Sequence, residues 1–339
     1  MISVAICTYN GEKYIIEQLE SIYRQTVMPD EIVICDDCSD DRTVELAERS
    51  LKASGISYKI NVNPVRMKVW KNFSQCIHMC SGTIIFSCDQ DDVWKENKIE
   101  VFLKCFKDEK CVLAYSDADI IDSEGRKIAD SLWEIHGLSG KPDIQKYKLN
   151  ILRSMFMAGC NMAFTKKFYD DISPVPQYFI HDGWLAVCAP LFGNIMFIND
   201  KLMHYRRHGL NASELYIIDK NKQSVKRSCR GCILEMRNTP WAVWFNCPSH
   251  FYRANKVFLE RMGKKMSDEY CGFVTDSIMY FNNIRLASSK GAVSRLMMLF
   301  IELINKRYGK FRGGKELLLK DFLYLLIHDK EPVDDGFIW

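Results

Sequence analysis

Three carboxylates crowd one short stretch of the chain, Asp89-Gln90-Asp91-Asp92, directly after the apolar run Thr83-Ile84-Ile85-Phe86-Ser87 and Cys88 and before Val93-Trp94. Carboxylates this close repel one another unless positive charge sits among them. Oxygen ligands on a short turn suit Mg²⁺ or Mn²⁺, ions that also bridge diphosphate oxygens. An isolated Asp-x-Asp is equally compatible with a solvated acidic turn, so its chemistry depends on what lies beside it. Two further polar clusters follow apolar runs in the same manner: Thr8-Tyr9-Asn10 after Ser3 to Cys7, and Asp36-Asp37 after Glu31 to Cys35. A fourth, His181-Asp182-Gly183-Trp184, has a carboxylate that could cap a helix opening at Gly183.

The elements that must carry these clusters alternate along the first hundred residues. Strands are predicted at Ser3–Cys7, Glu31–Cys35, Tyr58–Val62 and Thr83–Ser87, with helices at Tyr14–Tyr23, from about Asp40 to Leu51, and at Phe73–Met79. Helix-linked strands pair in parallel, which gives a layered α/β sheet. Such sheets bind ligands beyond the carboxyl ends of their strands, where all three polar clusters fall. Residues 111–205 read as mixed, with strands at Val112–Tyr115, Phe156–Phe164 and Ile195–Ile198. Beyond about residue 215 the pattern turns helical: Ser249–Met262, Tyr270–Leu286, Ala292–Tyr308, and Leu317–Ile327 after the Gly313-Gly314 break. The expected division is a catalytic domain over 1–215 and a helical extension over 216–339.

Ala5-Ile6-Cys7-Thr8-Tyr9-Asn10-Gly11, Val33-Ile34-Cys35-Asp36-Asp37-Cys38-Ser39-Asp40-Asp41-Arg42-Thr43 and Ser87-Cys88-Asp89-Gln90-Asp91-Asp92-Val93-Trp94 together resemble the family 2 inverting glycosyltransferases with the GT-A fold. Tyr115-Ser116-Asp117-Ala118 and Tyr205-Arg206-Arg207-His208 are similar to the bacterial rhamnosyltransferase-like branch. The likeness runs in order over about residues 1–213. It implies a GT-A-like, Rossmann-like mixed sheet flanked by helices. Thr8, Tyr9 and Asn10 would embrace the nucleobase, and Asp37 would accept a hydrogen bond from a pyrimidine imide. Asp89 and Asp91 would lie at the donor, and Asp91, Asp92 and His208 would hold Mn²⁺ or Mg²⁺, with Asp92 a direct ligand. Imidazole favours Mn²⁺ over Mg²⁺. Inversion needs a base for the acceptor hydroxyl, and Asp182 stands where this family carries it. Gly159-Cys160-Asn161 would shape the acceptor side. The implied reaction is hexosyl transfer, with dTDP-rhamnose as donor, onto a saccharide or lipid-linked saccharide such as a growing bacterial surface glycan. A UDP-hexose or UDP-N-acetylhexosamine donor is the alternative on the same fold. A sugar-nucleotide binding subunit without turnover is the alternative of a different class.

Composition and missing motifs narrow the field. At 47% hydrophobic and 26% charged residues with a net charge of +3, the 339-residue chain has a core-forming composition and no nucleic-acid signature. Its fourteen cysteines are scattered singly through apolar stretches, which suits buried thiols in a reducing cytoplasm. Cys35/Cys38 and Cys229/Cys232 each satisfy Cys-x-x-Cys, yet their separation argues against a shared zinc site. The glycine-rich nucleotide loops of dehydrogenases and NTPases, and the Gly-x-Ser-x-Gly elbow of hydrolases, are missing. No signal peptide opens the sequence, and no run reaches the about 18–20 apolar residues of a membrane span. A cytoplasmic protein is expected. The basic, apolar residues 290–327 suit either packed helices or peripheral contact with the inner face of the membrane.

Overall fold

The computed structural model describes residues 1–135, 157–208, 211 and 248–288, together with helical positions 297, 298, 300 and 302. These fall into two compact units, the first ending within the described residues at 211 and the second holding 248–288.

The first unit is built on one mixed sheet. Its strands are β1 (Ile2–Thr8), β2 (Glu31–Asp36), β3 (Ser57–Val62), β4 (Ile84–Asp89), β5 (Val93–Trp94), β6 (Cys111–Ile121), β7 (Lys127–Ala129), β8 (Met162–Thr165) and β9 (Asn194–Arg206). They lie in the order β3-β2-β1-β4-β8-β6-β9-β5, with β7 paired to β6. Strands β1 to β4 run parallel, while β8 is antiparallel to both β4 and β6. Every residue of β2 is buried, as expected for an inner strand covered on both faces. Cys7 of β1 stands opposite both Cys35 of β2 and Asp89 of β4, so the carboxyl ends of these three strands are level.

Helices α1 (Ile15–Tyr23), α2 (Thr43–Ser54), α3 (Val69–Met79) and α4 (Lys98–Cys105) follow the first strands. Next come α5 (Leu132–Ile135), α6 (Lys166–Ile172) and α7 (His181–Phe192). In α1 the buried positions Ile15, Leu19 and Ile22 recur at steps of four and three, so one stripe faces the sheet. Each such apolar side chain contributes about 1.5–3 kcal/mol when buried.

Three sequence-based boundaries shift. The strand expected over Phe156–Phe164 starts only at Met162, because Gly159–Asn161 turns as a 3-10 segment first. Strands β6 and β9 run well past their apolar cores, pairing in parallel from Cys111↔Asn194 to Ile121↔Arg206 across register shifts. Their polar halves hid them from a hydrophobicity reading. Helix α7 begins at His181 and its cap position is Ile180, so Asp182 lies inside the first turn and does not cap it.

In the second unit α8 (Pro248–Met262) and α9 (Asp268–Ser288) pack as a pair, with Phe251 stacked on Phe281 at 5.0 Å between ring centroids. Phe258, Val274, Tyr280 and Ile284 are fully buried there. These match the first two helices expected after residue 215. The stretch 317–327, the Cys229/Cys232 pair and most of 290–308 lie outside the described residues. Among the described residues no helix is long and apolar enough to cross a membrane.

Candidate active site

At the level carboxyl edge, the loops after β1, β2 and β4 interlock through side chains. Thr8 Oγ1 donates to Asp36 Oδ2 at 2.6 Å, and the Asp37 N–H donates to the Thr8 carbonyl at 2.8 Å. Asn10, in a left-handed conformation at φ 47°, donates its N–H to Ser39 Oγ at 2.9 Å, and its Oδ1 accepts the Asp40 N–H at 3.0 Å. Gln90 clasps the Tyr9 backbone at both ends: its Oε1 accepts the Tyr9 N–H and its Nε2 donates to the Tyr9 carbonyl, each at 2.9 Å. The Tyr9 ring lies under the Arg66 guanidinium at 3.7 Å, within cation–π range.

Asp37 is buried and holds the segment before α3. Its Oδ1 accepts the Met67 N–H at 2.6 Å and Asn63 Nδ2 at 3.1 Å; its Oδ2 accepts the Lys68 N–H at 2.8 Å. Arg66 Nε lies 3.9 Å from the same oxygen. Residues 63–68 thus belong to this site, though no local pattern marks them.

The acidic turn splits into an outer and an inner half. On the outer side Asp91 Oδ2 and His208 Nε2 meet at 2.7 Å, although 117 positions separate them. His208 also stacks on Tyr14 at 4.8 Å. Asp92 faces elsewhere: its Oδ1 accepts the Arg206 N–H at 2.9 Å. The carboxylates of Asp89 and Asp92 and the Cys160 thiol gather within 4.8 Å of one another, the group of such ligands found among the described residues. The structure therefore pairs two of the three expected ion ligands, Asp91 and His208, and groups the third, Asp92, with Asp89. Burial, then the charge of Asp91, pushes both Asp89 and Asp92 above the usual carboxylate range.

Beneath this inner half lies Lys98, a lysine with no exposed surface. Its Nζ donates to the Cys160 carbonyl at 3.0 Å, touches Met203 Sδ at 3.3 Å and sits 4.1 Å over the Trp94 ring. Burial lowers its pKa, opposed by the negative field of Cys160, Cys88, Asp92 and Asp89. Its charge opposes the upward shift of Asp89, so it acts as a buried countercharge on that side of the acidic turn. Its sequence signal was its place beside Ile99 and Phe102 on the buried face of α4.

Across from the turn, Asp182 projects from the first turn of α7. Its Oδ2 accepts the Gly159 N–H at 3.1 Å and its Oδ1 accepts the Gly183 N–H at 2.6 Å. Burial outweighs these bonds and pushes its pKa up to about 6, and its charge reaches Asp89. A Cβ on Gly159 would stand 2.7 Å from His181 Nε2 and 3.4 Å from Asp182 Oδ2, so only glycine allows this approach. His181 stacks on Phe73 at 4.0 Å and is kept neutral by burial, which lowers its pKa to about 3.

The sequence and fold have counterparts among known proteins. Residues 3–173 match Glycosyl transferase family 2. Over 226 residues, 61% of this chain and 72% of the other, the sequence is 37% identical to a dTDP-rhamnosyl transferase, RfbG, of Shigella flexneri. It is 26% identical over 123 residues, 36% of this chain and 47% of the other, to an Escherichia coli UDP-Glc:α-D-GlcNAc-diphosphoundecaprenol β-1,3-glucosyltransferase. Coverage of several curated relatives falls below two thirds of their own lengths: 66% for an uncharacterized Nostoc glycosyltransferase and 20% for Escherichia coli chondroitin synthase. Among solved structures, Staphylococcus aureus TarS 1-349 with UDP-GlcNAc superposes with a TM-score of 0.58 at 16% identity, covering 97% of this chain and 88% of that one. A Pyrobaculum calidifontis mannosyltransferase with GDP-Man and Mn²⁺ gives a TM-score of 0.51 at 13% identity, over 97% and 86% of the two chains. The mixed sheet flanked by helices is the GT-A fold. With half its length matched, the chain belongs to Glycosyl transferase family 2.

Proposed function

We propose that this protein is an inverting glycosyltransferase that moves a hexosyl group from a nucleotide diphosphate sugar onto a saccharide acceptor. The observation that carries the reading is the 2.7 Å meeting of Asp91 and His208 at the carboxyl edge of the sheet. A carboxylate oxygen and an imidazole nitrogen, both nearly buried, form a donor set that fits Mn²⁺. A bound Mn²⁺ or Mg²⁺ would neutralise charge on the donor diphosphate.

This chain's residues supply the rest. Thr8, Tyr9, Asn10 and Asp37 form the nucleobase end, with Tyr9 fixed in place by Gln90. Asp89 and Asp91 face the ribose and diphosphate. Asp92 supports the ion from the inner side of the turn. Asp182 takes the proton of the acceptor hydroxyl as that oxygen bonds to the anomeric carbon. The bond from that carbon to the diphosphate oxygen breaks as the new one forms on the opposite face, and its electron pair leaves with the nucleotide diphosphate. A carboxylate held near pKa 6 is a stronger base than an ordinary aspartate while remaining ionised at neutral pH.

The proposed donor is dTDP-rhamnose and the proposed acceptor a bacterial surface glycan, saccharide or lipid-linked. Support comes from the relative in Shigella flexneri, which is named as a dTDP-rhamnosyl transferase. A UDP-sugar donor is the second reading, favoured by the UDP-glucose specificity in the name of the Escherichia coli relative. Nucleotide release measured with dTDP-rhamnose, UDP-glucose, UDP-N-acetylglucosamine and GDP-mannose in Mn²⁺ separates them. Release from dTDP-rhamnose alone is expected; release from a UDP-sugar alone overturns the donor, and release from none overturns the activity. We also assign residues 1–215 to the catalytic domain and 216–339 to the helical extension.

A further inference from the structure

Arg206, the last residue of β9, is the point where the acidic turn is tied to the rest of the fold. Its side chain is 2% exposed. Its Nε donates to the Asp91 carbonyl at 2.8 Å, while its own N–H donates to Asp92 Oδ1 at 2.9 Å. One residue therefore grips both successive aspartates. Its carbonyl accepts Asn211 Nδ2 at 2.8 Å, and Asn211 Oδ1 accepts the His208 N–H at 2.9 Å. The Tyr14 ring meets the guanidinium at 4.9 Å and the His208 imidazole at 4.8 Å.

A guanidinium this deep needs a compensating charge. Its Nη2 finds Glu17 Oε2 at 2.6 Å, the carboxylate that pairs with it among the described residues. Glu17 projects from α1, and its own side chain is half-exposed at 51%. The remaining contacts, from Nη1 to the Asp122 and Ser123 carbonyls, are longer, at 3.4 and 3.5 Å.

We infer that Glu17 and Arg206 form a positioning pair that sets the Asp91–His208 pair for its divalent ion. The inference rests on the ion site proposed above and adds two residues that would not touch the ion. Glu17 holds Nη2 so that Nε of the same guanidinium reaches the Asp91 carbonyl. It also cancels a positive charge that would otherwise repel a cation beside Asp91. Both effects have the same sign. Removing the Glu17 charge weakens ion binding, whereas an ordinary half-exposed salt bridge would leave it unchanged.

The test is calorimetric titration of the full chain with Mn²⁺ alone, with the thermal unfolding midpoint read on the same samples. Glu17→Gln is expected to bind Mn²⁺ about tenfold more weakly, the scale of losing a partner one shell out from a metal. Its unfolding midpoint should stay within a few degrees of wild type. In an Arg206→Met background the same Glu17→Gln change should have no further effect, since the pair is already broken. Wild-type Mn²⁺ affinity in Glu17→Gln, or equal losses in both backgrounds, overturns the pair. So does a Glu17→Gln protein that loses its fold and not its ion. Failure of the wild type to bind Mn²⁺ sinks the ion site itself, so the two failures are told apart.

Discussion

Gly11 and Gln90 compete for one volume: a Cβ on Gly11 would lie 2.1 Å from Gln90 Oε1. Glycine at this position is what lets the Gln90 amide close over the Tyr9 backbone and lock the first loop to the acidic turn. Gly11→Ala should push the amide away and free both bonds. At about 1 kcal/mol for each hydrogen bond, the unfolding midpoint is expected to fall by several degrees, and donor KM to rise about tenfold or more as the loop loosens. A steady-state titration of donor checks this. Gln90→Ala added to Gly11→Ala should cost nothing further.

The Asp91–His208 contact predicts dependence on a divalent ion. Chelation should abolish transfer and added Mn²⁺ restore it. His208→Ala should weaken Mn²⁺ binding about tenfold or more, because one ligand of the pair is gone. Full activity in excess chelator would remove the ion from the reaction.

Asp182 predicts a pH profile of definite sign. It works as the carboxylate, so the acidic limb of kcat/KM should fall with half-effect near the pKa of about 6. Asp182→Asn should lose about 10²-fold in transfer, keep donor affinity and erase that limb. Stability should move the other way. A carboxyl whose folded pKa lies above its usual value stabilises the fold when protonated, and that contribution disappears as pH rises through about 6. Asp182→Asn should therefore unfold at a higher temperature than wild type at pH 8, with the advantage gone near pH 4.

Gly159 gives a second route to the same carboxylate. An alanine there would stand 2.7 Å from His181 Nε2 and 3.3 Å from Asp182 Cβ. Displacing the base by even about 1 Å can cost 10²-fold in rate. Gly159→Ala is expected to lower kcat on that scale with donor KM near normal. A change in donor KM alone would place the glycine on the wrong side of the site.

Lys98 should reveal itself in stability. Lys98→Met keeps the bulk but leaves the Cys160 carbonyl without its 3.0 Å donor and the Asp89–Asp92 pair without its buried countercharge. A loss of about 2–4 kcal/mol in denaturant unfolding is expected, since an unmatched buried polar group and unpaired charge both persist. Unchanged stability would mean that the acidic turn is neutral without it.

Local pattern was enough for much of this protein. Apolar runs ending in polar clusters located β1, β2 and β4, and helical linkage made them parallel, so their loops had to meet at one edge. That reasoning depends only on periodicity and chain connectivity, both of which the sequence carries. The resemblance added His208 and Asp182, and no spacing argument could have placed the first against Asp91 or the second within reach of Asp89. What tertiary structure decided is which way each side chain turns. Asp92 faces inward while its neighbour Asp91 meets His208. Asp37 grips the 63–68 segment, and Lys98 and Arg206 serve as buried cations. Such roles arise when segments far apart in the chain exclude water from the same small volume. A charge there must find a partner wherever the fold supplies one, and nothing in the neighbouring residues records which partner that will be.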